Sequence, residues 1–480
     1  MPASADAISG RSTMTQPFPD NIFLSGSMAP SGIECDAPDL VIDGELPTDL
    51  QGVYFRNGPD PIYPPRGGAE YHWFHGDGMI QRFEFCDGRV SWKNRWVRTE
   101  KYELEREAGE SLFGVLGNPM NAAPSVADKH YNTANTHIVW HGNKLLALME
   151  GTIAVELNPD SLATLGNFDY NGMIDGPITA HPKFDHASGE MIFFGNQAKG
   201  PFSEFLRLNV ADKEGNLITS EMIEAPFPSF AHDFFVTENY VVFPVYPLVF
   251  NLERAIESGV PMAWEPDRGA HFGVMPRNGT ADDIVWHDMD ARWSFHMVNA
   301  WEEGDAIKVD VCSSNATRFA PMLDGTMASE SSGLTPTLRR WSIDLAGGKK
   351  TVGEEMLDDM ACEFPRTDDR FMTRSHRHAY LVGALENQLV FNKLIHYDRT
   401  TGKRKLWGED RYLLGEPILA PRSGSPDEGD GYLLNLAFNK ETSLTDLLIF
   451  DASDIEVGPV ATAKLPLRIP TGFHGSWVGA

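Results

Sequence analysis

The sequence predicts an all-β protein, antiparallel and either closed or radially repeated. Three observations carry this: short apolar segments rich in Val, Ile, Leu, Phe and Tyr recur along all 480 residues, each is closed by a turn signal, and the chain holds 44 Gly and 32 Pro. In chain order the segments are 145–149, 152–157, 191–194, 240–245, 307–312, 338–345, 432–438 and 447–450. Among them lie Asp87-Gly88, His141-Gly142-Asn143, Ser188-Gly189, Glu303-Gly304-Asp305, Thr401-Gly402-Lys403 and Gly429-Asp430-Gly431. Gly, Asn and Asp tolerate the backbone conformations of tight hairpin turns, which is why they mark such connections. A chain of this length fills seven propeller blades of about 50 residues with some left for insertions, so a propeller suits it better than a sandwich. No repeated sequence signature fixes the blade count.

The convincing helical pattern covers 99–116, where Tyr102, Leu104, Leu112 and Phe113 stand among Glu, Arg and Lys in amphipathic order. Such an insertion caps one end of a propeller. Residues 1–20 are polar and lack the apolar centre of a secretory signal, and are expected to form a flexible arm. No linker or low-complexity tract divides the remainder, so 21–480 is expected to be a single domain.

Composition narrows the partners. A formal charge of −28 argues against nucleic acid, whose phosphates are bound by clustered Lys and Arg, and disfavours an anionic membrane surface. The longest apolar-rich run, 240–250, is broken by Pro244 and Pro247 and falls well short of the roughly 20 residues that span a bilayer. No transmembrane segment is expected. The four cysteines, Cys35, Cys86, Cys312 and Cys362, are too far apart for a CxxC pair or a dense disulfide framework, which suits reduced thiols in a cytoplasmic protein.

Most of the fifteen histidines need be no more than surface or hydrogen-bonded residues. Four stand in unusual settings: His181 in Thr179-Ala180-His181-Pro182-Lys183, His232 in Ser229-Phe230-Ala231-His232-Asp233-Phe234, His296 after Phe295, and His474 in Thr471-Gly472-Phe473-His474-Gly475. They are too far apart in sequence for a local site. In a propeller, inner strands converge on the axis, and one His from each of four blades can meet at a single ion. A carboxylate-free shell of imidazoles leaves a divalent iron its full charge and keeps it ferrous, which suits O2 binding better than hydrolysis. Imidazole ligands need the second ring nitrogen oriented, usually by carboxylates. Glu150, Glu363 and Glu416 sit in or beside apolar stretches (145–150, 361–366 and 413–420) and are candidates, though each can also be an ordinary strand-end carboxylate.

These four contexts, with Gly52-Val53-Tyr54-Phe55-Arg56-Asn57-Gly58-Pro59 and His75-Gly76-Asp77-Gly78-Met79, resemble the carotenoid cleavage oxygenase family from about residue 42 to 477. The resemblance implies a seven-bladed β-propeller with a helical and loop dome over the active-site face. It implies a non-haem Fe(II) held by His181, His232, His296 and His474, with Glu150, Glu363 and Glu416 behind them. Thr136, in Asn132-Thr133-Ala134-Asn135-Thr136, matches the position that crowds one coordination site and leaves another open to O2. The implied reaction adds O2 across a conjugated double bond of a small apolar alkene and yields two carbonyl products, with no organic cofactor.

Residues 96–106 and Ser111-Leu112-Phe113-Gly114 are similar to the bacterial branch that cleaves stilbenes and phenylpropenes. There a tyrosine matching Tyr102 hydrogen-bonds the substrate's phenol, and a lysine just before the Asn132 motif assists. Here Tyr131 holds that place and the nearest lysine is Lys129, which puts lysine assistance in doubt. Tyr102 can equally be an aromatic on a helix's buried face. An apocarotenoid is the alternative substrate. A propeller acting as a non-catalytic binding platform, or as a hydrolase, are readings from other classes; the second needs carboxylates where this chain has histidines. The oligomeric state is left open.

Overall fold

The computed structural model describes residues 17–66, 70–115, 121–347, 350–384 and 391–480. Strand is the main regular structure among the described residues, and each of the eight apolar segments overlaps a strand: Lys144–Leu148, Ala154–Leu157, Glu190–Gly195, Tyr240–Val245, Ala306–Ser313, Thr337–Asp344, Gly431–Asn439 and Leu444–Asp451. Successive strands pair antiparallel through the turns read from sequence. Met79–Cys86 meets Arg89–Trp96 across Asp87-Gly88, and His137–His141 meets Lys144–Leu148 across Gly142-Asn143. Asp87 and Asn143 adopt positive φ there, a conformation that Asn and Asp tolerate and bulky side chains do not.

Three four-stranded sheets follow one another along the chain. The first runs from His137–His141 to Thr164–Phe168, the second from Lys183–Asp185 to Leu217–Glu224, and the third from Phe235–Val236 to Val285–Met289. A seven-stranded sheet then spans Met297–Glu303 to Lys403–Trp407, and a six-stranded sheet holds Tyr412–Leu414 and Gly431–Asn439. The N-terminal part joins the C-terminal part twice. Val41–Gly44 pairs with Ala461–Lys464, and Gly52–Arg56 pairs with Gly475–Gly479 in a five-stranded sheet.

Burial follows position within each sheet. Tyr240–Val245 is buried along nearly its whole length, whereas Thr164–Phe168 and most of Leu217–Glu224, at sheet edges, are half-buried or exposed. The core lies between sheets. Val236, Val241 and Phe243 of one sheet pack on Ile192, Leu206 and Leu208 of the preceding one, each fully buried side chain contributing roughly 1.5–3 kcal/mol over leaving it exposed.

The structure corrects the helix. The helix is Glu100–Ala108, capped by Thr99 Oγ1 on Tyr102 N and ended by Gly109 at φ 73°, because a glycine in the left-handed region closes a helix. Residues 111–115 are irregular, since Glu105 Oε1 takes the amides of Leu112 and Phe113 in place of helical carbonyls. Leu116, the last residue of the expected stretch, lies outside the described residues. A second helix that the sequence reading missed, Leu252–Ser258, has no buried residue and so no amphipathic signal. Of the expected arm, 1–16 lie outside the described residues, while Phe18 already packs against the cluster of Leu24, Tyr71 and Val115. No helix among the described residues is long and apolar enough to cross a membrane. None of the four cysteines is in a disulfide.

Candidate metal centre

Each of the four histidines stands just before a strand at the edge of its sheet. His181 precedes Lys183–Asp185, His232 precedes Phe235–Val236, His296 precedes Met297–Glu303 and His474 precedes Gly475–Gly479. These edge strands bring their N-terminal ends to one place, and the four imidazoles meet with donor atoms all within 4.8 Å of one another. His181 and His232 face each other Nε2 to Nε2 at 2.9 Å, as do His232 and His296 at 3.2 Å. His181, His232 and His474 are buried, and the His296 side chain is 12% accessible.

The three glutamates stand behind the rings. His296 Nδ1 donates to Glu363 Oε2 at 2.6 Å, and His474 Nδ1 donates to Glu416 Oε1 at 2.8 Å. Glu416 Oε2 also takes Gly475 N, with Arg56 and Arg366 at 3.6 and 3.7 Å from the carboxylate. Glu150 Oε2 lies 2.5 Å from His232 Nδ1, off the hydrogen-bond axis, so that neither atom has a well-aligned partner. A carboxylate on Nδ1 keeps that nitrogen protonated and turns the Nε2 lone pair inward.

This arrangement fits a cation. When both rings are neutral with Nδ1 against carboxylates, the Nε2 lone pairs of His232 and His296 face each other across 3.2 Å, a repulsion that a shared cation removes, as a proton held on His296 does in the metal-free site. Two nitrogens bound at about 2.1 Å to one ion and at a right angle stand about 3 Å apart. Burial first, then the neighbouring imidazoles, hold His181 and His474 well below the ordinary histidine range, so both are neutral and free to ligate. Burial would also lower His296, but the charge and hydrogen bond of Glu363 outweigh it and its pKa is raised.

Thr136 lies beside the cluster. Its carbonyl accepts from His474 N at 3.1 Å, and its hydroxyl donates to Asn135 Oδ1. Tyr102 packs with Met79, Trp96 and Ile62, and burial raises its hydroxyl's pKa, with Arg106 and Arg98 acting to lower it and Glu34 and Glu103 to raise it. Tyr131, where a lysine was sought, pairs with His75 Nδ1 at 2.6 Å. Lys129 faces Glu100 at 3.6 Å near the surface. The buried lysine of this region is Lys101, 2.7 Å from both Asp77 and Glu105 and beside Tyr131 in one cavity.

Sequence reading missed an aromatic cluster against the histidines. Phe295 meets His232 edge-on at 5.2 Å; Phe319 lies 5.6 Å from Phe295 and 5.2 Å from Phe230; Phe74 lies 5.7 Å from Phe319 and 5.5 Å from Phe473. A signal was present. Phe230, Phe295 and Phe473 each stand one or two residues before a clustered histidine, and Phe74 stands before His75. Phe319 has no such mark. A cavity of about 60 Å³ touches His181, His296 and His474 from among Lys183, Asp233, Arg366 and Glu416.

Four imidazoles gathered from four sheets, three of them with carboxylates behind, define a protein class that can hold a metal at a buried all-histidine centre. Residues 28–479 match the family described as retinal pigment epithelial membrane protein. The chain is 38% identical over 467 residues to isoeugenol monooxygenase of Pseudomonas putida, covering 95% of this chain and 97% of that one. It is 33% identical over 483 residues to lignostilbene-alpha,beta-dioxygenase isozyme III of Sphingomonas paucimobilis, covering 96% and 98%. Among solved structures, the lignostilbene dioxygenase of Pseudomonas brassicacearum superposes with a TM-score of 0.93 at 35% identity, over 97% of this chain and 100% of that one. The apocarotenoid oxygenase of Synechocystis, in a cobalt-substituted form, gives 0.83 at 30% over 94% and 97%. The chain belongs to this family, the carotenoid cleavage oxygenases, and is an oxygenase of that type.

Proposed function

We propose that the chain is a non-haem Fe(II) oxygenase that cleaves the conjugated double bond of a phenolic stilbene or phenylpropene. One alkene and one O2 give two carbonyl products, so no further reductant is required. The observation that carries the metal reading is the face-to-face approach of His232 and His296 at 3.2 Å with both outer nitrogens against carboxylates. Fe(II) bound by His181, His232, His296 and His474 supplies binding and activation of O2 beside the alkene.

The chain's own groups do the rest. Glu150, Glu363 and Glu416 orient three ligands and add negative charge outside the imidazoles. Thr136 crowds one side of the site. Phe74, Phe230, Phe295, Phe319 and Phe473 form an apolar wall that can stack on a planar aromatic alkene and exclude water. The contacts of Tyr102 support packing more directly than a hold on the phenol, and that role rests on the resemblance alone.

A seven-bladed propeller is part of the proposal, with 21–480 as its single domain and the Glu100–Ala108 helix and neighbouring loops as its dome. Five sheets of four to six strands account for five blades. The seven-stranded sheet counts as two, because Val352–Arg366 pairs with Thr337–Asp344 through residues 352–361 and with His378–Ala384 through residues 361–366.

The relatives named for isoeugenol and lignostilbene support a phenolic alkene; the likeness to apocarotenoid oxygenase favours the second reading, a polyene aldehyde. The test offers Fe(II)-loaded protein 4-hydroxystilbene, isoeugenol and an apocarotenal in parallel, with O2 uptake and mass-spectrometric identification of products. Aromatic aldehydes from the phenolic alkenes are expected. Cleavage of the apocarotenal alone would overturn the substrate and keep the chemistry.

A further inference from the structure

Among the described residues no carboxylate backs the ring of His181, in contrast to the other three histidines, so its placement has another source. We propose that His137 is the positioning residue for His181, acting on the backbone beside that ligand. This rests on reading the four histidines as a metal centre.

His137 begins the strand His137–His141 and is 5% exposed. Its Nδ1 lies 2.8 Å from the carbonyl of Ala180, the residue before His181. Its Nε2 lies 3.2 Å from the carbonyl of Gly475, the residue after His474. The preceding carbonyl, that of Thr136, accepts from His474 N at 3.1 Å. Two adjacent residues thus grip the chain next to two ligands from different sheets. The ring itself stays out of the donor cluster, with centroids 6.0 Å from His181 and 5.4 Å from His474, the latter edge-on.

Burial lowers the His137 pKa to about 4, so the ring is neutral and carries one N–H. The shorter contact puts that proton on Nδ1, toward Ala180. A phenylalanine keeps the volume and loses the donor, and the Ala180 carbonyl, buried beside the site, is left without it. An asparagine places an amide N–H near the position of Nδ1. A glutamine carries the same donor one methylene too far.

The test is anaerobic titration of metal-free protein with Co(II), reading the dissociation constant and the visible spectrum of the bound ion. Loss of outer-sphere partners weakens metal binding about 10–100-fold. That loss, with an altered spectrum, is expected for His137→Phe, and His137→Asn is expected to recover most of both. If His137→Phe does not fold, the order of affinity wild type, Asn, Gln carries the test. Wild-type affinity and spectrum in His137→Phe, equal losses in Phe and Asn, or Gln binding better than Asn would each overturn the assignment. A wild-type chain that binds no Co(II) would instead overturn the metal reading beneath it.

Discussion

Glu363 and His296 show how one carboxylate sets the behaviour of a ligand. Because Glu363 raises the His296 pKa, the metal-free site keeps a proton on His296 to a pH above the ordinary histidine value, and an entering metal must displace it. Metal affinity therefore rises with pH and is fully developed only above that raised value; it falls as pH drops through it. Titrations at several pH values should show this, and Glu363→Gln should move the fall to lower pH while weakening binding about 10–100-fold. An unmoved profile would contradict the role of Glu363. Tyr102→Phe separates phenol binding from packing: a lost phenol contact raises KM for 4-hydroxystilbene and not for its 4-methoxy ether, whereas the packing contacts with Trp96 and Met79 predict unchanged KM for both. At this scale the sequence was informative where chemistry is exceptional. Histidines in apolar turns and glutamates in apolar stretches stood out, and all seven meet in the structure. Lys101 and Phe319 did not stand out, because a lysine four residues before a glutamate reads as an ordinary helix-surface pair, and a lone phenylalanine reads as core.

The strand elements were legible because alternation and turn residues are local. What brings the ligands together is less so, as it depends on close backbone approach. Gly58 is an example: a Cβ there would meet Gly472 Cα at 2.6 Å, and Asn57 on one side exchanges hydrogen bonds with Phe473 N and His474 O. The neighbour is backbone and cannot rotate away, so Gly58→Ala must push 472–474, and His474 with it. We expect a loss of about 1–3 kcal/mol in denaturant unfolding, the usual cost of overpacking, together with weaker metal binding; a variant with wild-type stability would contradict the contact. The helix prediction overran for a similar reason. Side-chain capping by Glu105 of the amides at 112 and 113 is a tertiary choice that a helical period does not reveal.

Over the whole molecule, the ends of the chain are paired. Gly52–Arg56 hydrogen-bonds Gly475–Gly479, and the last of the four clustered histidines, His474, sits at that seam, beside Asn57 from the N-terminal part of the sequence. Pairing over more than 400 residues leaves no local pattern, which is why composition and spacing predict a radial fold in general while the expected blade count and ligand set rest on family resemblance. The central claim is that one Fe(II) at the four histidines makes this chain an alkene-cleaving oxygenase. The most direct measurement is a stepwise anaerobic loading of metal-free protein with Fe(II), each sample then given 4-hydroxystilbene and O2, with aldehyde products counted. The account predicts product rate rising in proportion to Fe(II) up to one equivalent per chain, then levelling, and no product from His296→Ala at any loading. Full activity before iron is added, or activity retained in His296→Ala, would contradict it.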